Sequence, residues 1–131
     1  MSDKIKSLNV LIIDDNQTMR DELTNLVEKV GVSKINTAAS GKDAIKYLLN
    51  TNDTADQVSL ILLDIMMPEM TGIEFLKVAK EYYRTIPIVM VTAEVTIDNV
   101  VESQKHGSVD FIAKPFNLDI LVEKLENIFK D

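Results

Sequence analysis

Two hydrophobic rhythms alternate along the chain. Short apolar runs rich in Val and Ile fall at residues 8–13, 58–63, 87–91 and 109–113. Between them, apolar residues recur every three or four positions. An apolar run without polar alternation predicts a strand buried on both faces, as in a parallel sheet. After the first run, Met19, Leu23, Leu26, Val27 and Val30 share one helical face, and Gly31 stands where the chain should leave the helix. Residues 33–37 predict a shorter, weaker strand. Ala44, Ile45, Leu48 and Leu49, after Ser40-Gly41, predict a second helix, and residues 50–56 a polar loop. A turn with Pro68 and Gly72 leads to a third helix carrying Phe75, Leu76, Ala79, Tyr82 and Tyr83. The fourth has a narrower stripe of Ile97, Val100 and Val101 and ends at Gly107. The last has a broad one of Leu118, Leu121, Val122, Leu125, Ile128 and Phe129. Five strand–helix pairs in strict alternation predict an α/β fold, a doubly wound five-stranded parallel sheet with five helices.

Length and composition narrow the classes. At 131 residues the chain suits one domain, and 46% hydrophobic with 27% charged residues excludes a disordered segment. The absence of Cys removes disulfide scaffolds, zinc ribbons, iron–sulfur centres and thiol catalysis together. A net charge of −7 opposes association with nucleic acid or anionic membranes. No apolar run approaches the roughly 18 residues of a membrane span. Residues 1–7 lack the apolar stretch of a secretory signal, so a cytoplasmic location is expected.

In doubly wound sheets, ligands bind beyond the carboxyl ends of the strands, where the winding reverses. The residues just after the apolar runs are Asp14 and Asp15, Asp64, Thr92 and Lys114. Singly, each has a plain reading as a helix cap, a first-turn charge or a loop residue. Jointly, they bring three carboxylates, a hydroxyl and an ammonium to one edge. Carboxylates in such proximity repel by about 4 kcal/mol per pair at 4 Å and an effective dielectric near 20. One Lys cannot balance three negative charges. With oxygen donors alone, Mg²⁺ or Mn²⁺ suits the site better than zinc. A carboxylate not consumed by the metal can take a phosphoryl group, giving an aspartyl-phosphate. Spacing alone does not choose which Asp that is.

These residues carry a resemblance. Asp14-Asp15, Asp64-Ile-Met-Met-Pro-Glu-Met-Thr-Gly72, Val91-Thr92-Ala93 and Lys114-Pro115-Phe116 resemble the receiver domain of two-component response regulators over nearly the whole chain. The resemblance implies a flavodoxin-like sheet of order 2-1-3-4-5, with Asp64 as phosphoacceptor and Asp15 as direct Mg²⁺ ligand. It also implies that Asp14 holds a metal-bound water and that the Met66 backbone carbonyl completes the coordination. Lys114 would pair with the carboxylate and then with the phosphoryl group, and its bond to Pro115 would be cis. Thr92 would be the switch hydroxyl and Phe111 the aromatic that moves with it. Such a protein is a switch that assists its own phosphorylation and dephosphorylation, not an enzyme with a separate substrate.

The residues after Pro115 suffice for only one helix, so residues 1–131 are expected to be a single receiver domain without an output domain. The implied partners are a sensor histidine kinase and an output protein on the face of the fourth helix, fifth strand and last helix. That protein would be a flagellar switch component, as for stand-alone chemotaxis receivers, or a phosphotransfer protein in a relay. No nucleic acid or membrane partner is expected, and the chain is expected to be a monomer. Two departures from the chemotaxis pattern are Phe111 in place of Tyr and Met66 in place of Asn. A small Mg²⁺-dependent aspartyl-phosphate phosphatase is the competing class, though 131 residues leave no space for a substrate-recognising cap. A flavin carrier is opposed by Asp14-Asp15 where a flavin phosphate would lie. By itself, Phe111 reads as core. Met67 is expected to pack in its turn, with Met66 and Met70 partly exposed. His106 reads as a solvated helix-end residue.

Overall fold

A computed structural model describes residues 2–130. In chain order the elements are α1 (Asp3–Lys6), β1 (Asn9–Ile13), α2 (Gln17–Val30), β2 (Lys34–Ala38), α3 (Gly41–Thr51) and β3 (Leu60–Leu63). They continue with α4 (Gly72–Tyr82), β4 (Ile88–Thr92), α5 (Ile97–Lys105), β5 (Asp110–Ala113) and α6 (Leu118–Ile128). The strands form one parallel sheet in the order β2-β1-β3-β4-β5. This is the expected doubly wound sheet. The winding reverses between β1 and β3, and that crevice receives the residues after both strands.

Burial follows position in the sheet. β1, β3 and β4 are buried at every residue, as their unbroken apolar runs demand. β2 and β5 are the edges and bury only Ala38 and Ile112. Alternate strand residues feed two cores. Leu11, Ile13, Ile61, Leu63, Ile88 and Met90 pack with α3 and α4 on one face. Val10, Ile12, Leu60, Leu62, Val89 and Val91 pack with α2 and α6 on the other. No described helix is long and apolar enough to cross a membrane.

Helix boundaries have local causes. The side chains of Asn16, Ser40, Thr71, Thr96 and Asn117 each accept a first-turn N–H. Thr71 and Glu74 form a reciprocal capping box. Gly31 and Gly107 follow their helices at φ of 108° and 102°, conformations that few other residues adopt. Lys80 on α4 donates to the Ile86 carbonyl at 2.7 Å, and burial lowers its pKa below the ordinary lysine range.

Three expectations need correction. The helices among the described residues number six, not five, because Asp3–Lys6 forms a single turn capped by Ser2 that buries Ile5 beneath the second core. So short a helix has no periodicity to detect. Leu49 and Tyr82, expected on apolar helix faces, are exposed, whereas Tyr83 is buried. The predicted stripe of the fourth helix, α5, also faces outward at two of its three residues, with Val100 half-buried. Ile97 is 82% and Val101 56% exposed, and the helix's one buried residue is Ser103.

A carboxylate cleft at the sheet switch point

Each acidic residue is placed by the strand that precedes it. The N–H of Asp14 donates to the Ala38 carbonyl at 3.1 Å, extending the β1–β2 pairing by one residue. In the same way, the N–H of Asp64 donates to Ile13 at 3.0 Å, on the other side of β1. The sheet therefore holds both main chains rigidly, and both side chains are buried, at 1% and 7% exposure. Asp15, one residue further out, is exposed. Carboxylate oxygens of Asp14, Asp15 and Asp64 lie within 4.8 Å of one another.

Lys114 is the counter-charge. Its Nζ donates to Asp14 Oδ2 at 2.7 Å and to Asp64 Oδ2 at 3.4 Å. Its backbone N–H donates to the Thr92 carbonyl at 2.9 Å, tying the lysine to the end of β4. The Lys114–Pro115 bond is cis, as the resemblance implied. Asp14 Oδ1 accepts from the Asn16 N–H at 2.9 Å, and Asp64 Oδ1 from the Met66 N–H at 3.4 Å. Asp15 makes no side-chain hydrogen bond among the described residues. Two buried carboxylates share one ammonium and a third has no partner. This all-oxygen donor set, short of positive charge, fits a hard divalent cation such as Mg²⁺.

The Asp64 loop is also backed by a close approach from α4. Were Gly72 to carry a Cβ, that atom would stand 2.0 Å from the Asp64 carbonyl oxygen. The start of α4 thus presses on the loop that carries Asp64, and the Gly72 N–H donates to the Ile65 carbonyl at 2.8 Å. Asp14, Asp15, Asp64 and Lys114 open into one cleft of about 490 Å³. Met19, Leu23, Leu26 and Phe116 extend it as an apolar wall between α2 and the start of α6.

Other expected site residues lie outside this cleft. Thr92 is fully buried, and its Oγ1 accepts from the Glu94 N–H at 3.1 Å. Phe111 is half-buried and packs against the core beneath α3 and α4. Met66 exposes 58% of its surface, while Met67 is buried in the turn. His106 is not free: its Nε2 meets Glu102 Oε1 at 3.0 Å, one turn back on α5. Sequence reasoning missed Arg20, whose Nη1 donates to the Asp14 carbonyl at 2.7 Å. An Arg on the polar side of a helix gives no hint of that reach.

Comparisons with known proteins agree with this geometry. The response regulator receiver domain model matches residues 10–126. The chemotaxis protein CheY of Pseudomonas aeruginosa is 34% identical over 125 residues, which cover 94% of this chain and 97% of that protein. Among solved structures, chemotaxis protein CheY4 of Vibrio cholerae superposes with a TM-score of 0.83 at 28% identity, covering 94% of this chain and 99% of that one. CheY of Borrelia burgdorferi, solved as a CheX–CheY–BeF₃–Mg²⁺ complex, gives 0.86 at 28% identity, covering 95% and 90%. The chain belongs to the response regulator receiver family, and within it resembles the chemotaxis proteins named CheY.

Proposed function

We propose that this protein is a cytoplasmic phospho-switch that accepts a phosphoryl group on Asp64 from a sensor histidine kinase and signals by binding another protein. One observation carries the reading: Asp14, Asp15, Asp64 and Lys114 share a cleft at the switch point of the sheet. In the transfer, an Asp64 oxygen forms a bond to phosphorus as the bond to the donor's imidazole nitrogen breaks. The nitrogen keeps that electron pair and takes up a proton. Asp14, Asp15 and Asp64, with the Met66 backbone carbonyl, would hold Mg²⁺ or Mn²⁺. When bound, the cation supplies positive charge opposite the phosphoryl oxygens. Lys114, already shared between Asp14 and Asp64, turns its ammonium to a phosphoryl oxygen. Thr92 releases the Glu94 amide and donates its hydroxyl to another. Phe111 then repacks, shifting the population of the face formed by α5, β5 and α6.

Exposed apolar side chains on and beside that face support a protein partner. Val95, Ile97, Val101, Val109 and Ile120 are 48%, 82%, 56%, 48% and 38% exposed. The Borrelia relative, solved as a complex with CheX, BeF₃ and Mg²⁺, supports binding of another protein. In this reading residues 1–131 act as one unit, and a flagellar switch component is the output for a chain of the chemotaxis type. A relay role would instead pass the phosphate to a histidine on a phosphotransfer protein.

The decisive experiment is labelling with a small phosphodonor in Mg²⁺, read by intact mass. The wild type gains one phosphoryl group, and Asp64→Asn gains none. Labelling of the variant at the wild-type level would overturn the assignment. Steady turnover of a phosphomonoester, without a lasting labelled form, would move the protein to the phosphatase class.

A further inference from the structure

We propose that Arg20 is a positioning residue for the acidic site, fixing the direction from which Asp15 meets a divalent cation. The inference rests on the proposed function, in which these carboxylates hold one. Arg20 lies half-buried on the first turn of α2, six residues beyond Asp14. Its Nη1 donates to the Asp14 backbone carbonyl at 2.7 Å and its Nη2 to Gln17 Oε1 at 2.8 Å. The amide of Gln17 donates in turn to Asp21 Oδ1 at 3.1 Å. The guanidinium is therefore held at both forks and cannot swing out without losing two bonds.

The carbonyl it grips belongs to the peptide joining Asp14 to Asp15. That unit is planar, so pinning its oxygen fixes the line along which the Asp15 main chain leaves. Asp14 has other anchors: its N–H donates to Ala38, and its carboxylate accepts from Asn16 and Lys114. Asp15 is exposed and has no side-chain hydrogen bond among the described residues, so its backbone is what fixes the point and direction from which the side chain starts. Groups that hold a metal ligand in place typically change metal affinity 10–100-fold when removed.

Charge and positioning predict opposite signs. Arg20 is a cation near three carboxylates, and if charge were its whole influence, removing it would strengthen divalent binding. Positioning predicts weaker binding. The test titrates Mg²⁺ alone into the full chain, following amide resonances of the wild type, Arg20→Met and Arg20→Lys. Arg20→Met is expected to raise the Mg²⁺ Kd about tenfold or more. Arg20→Lys, with the charge kept and one fork lost, falls between the two. The metal-free Arg20→Met protein should also show a displaced Asp15 amide resonance, with Val10 and Ile12 unmoved. Equal or tighter Mg²⁺ binding by Arg20→Met overturns the inference. If that variant does not fold, Arg20→Lys decides alone, because a charge-only role leaves its Kd unchanged. Failure of the wild type to saturate with Mg²⁺ would sink the proposed function as well, whereas a saturating wild type with an unaffected variant sinks only the role of Arg20.

Discussion

Gly72 is the residue on which the acidic loop leans most closely, since a methyl group there would meet the Asp64 carbonyl at 2.0 Å. The atom opposite is backbone, so no side-chain rotation can relieve the contact. Gly72→Ala should therefore displace the Asp64 loop and cost about 1–3 kcal/mol, the usual range for overpacking. Chemical denaturation would read the loss, and phosphodonor labelling should fall with it. A variant of wild-type stability and labelling would mean that α4 can retreat freely. In the sequence Gly72 was legible as a turn residue and as the end of the motif that begins at Asp64, but not as a point of close approach. Asp14, Asp64 and Lys114 were legible as a site, because each sits at the end of an apolar run, and the run itself predicts where a sheet edge will be. Arg20 was not legible, because its partner is a main-chain carbonyl, and side-chain patterns carry no record of backbone acceptors.

At the scale of elements, strands were easier to read than helix faces. β1, β3 and β4 are buried throughout, and their uninterrupted apolar runs say so directly. Strand order was not contained in any run and came from the family resemblance. Both edge strands are partly polar, but that marks an edge without naming the neighbour. α5 is the instructive failure. Its periodic Ile97, Val100 and Val101 are genuinely amphipathic, yet periodicity reports only that a stripe exists, not what covers it. With Ser103 turned inward and Ile97 outward, the stripe is available to another protein. Changing Ile97 and Val101 together to Asp should leave stability within about 0.5 kcal/mol, as for exposed sites generally. Phosphodonor labelling should also be unchanged, while affinity for the phosphorylation-dependent partner is lost. Retention of that affinity would move the output surface elsewhere.

For the molecule as a whole, the acidic cluster is a standing cost that folding alone does not remove. The sheet holds Asp14 and Asp64 at fixed positions, and Lys114 cannot neutralise both together with Asp15. A cation bound only by the folded chain stabilises it by mass action, by about 2.7 kcal/mol at one hundred times its Kd. The thermal unfolding midpoint should thus rise with Mg²⁺ in the wild type and much less in Asp15→Asn. An equal rise in both would show that the ion binds elsewhere.

Strand polarity has a further consequence, for building on this molecule. Asp14, Asp15, Asp64 and Lys114 follow the carboxyl ends of their strands, so the loops before β3, β4 and β5 emerge at the far end of the sheet. The exposed turn at Asp53–Thr54 is one of these. Lengthening a surface loop costs little, about 0.6 kcal/mol for each doubling. A fluorescent reporter or tether grafted at that turn would sit across the full depth of the sheet from the carboxylates, leaving the cleft and the α5 face open while the switch is observed at work.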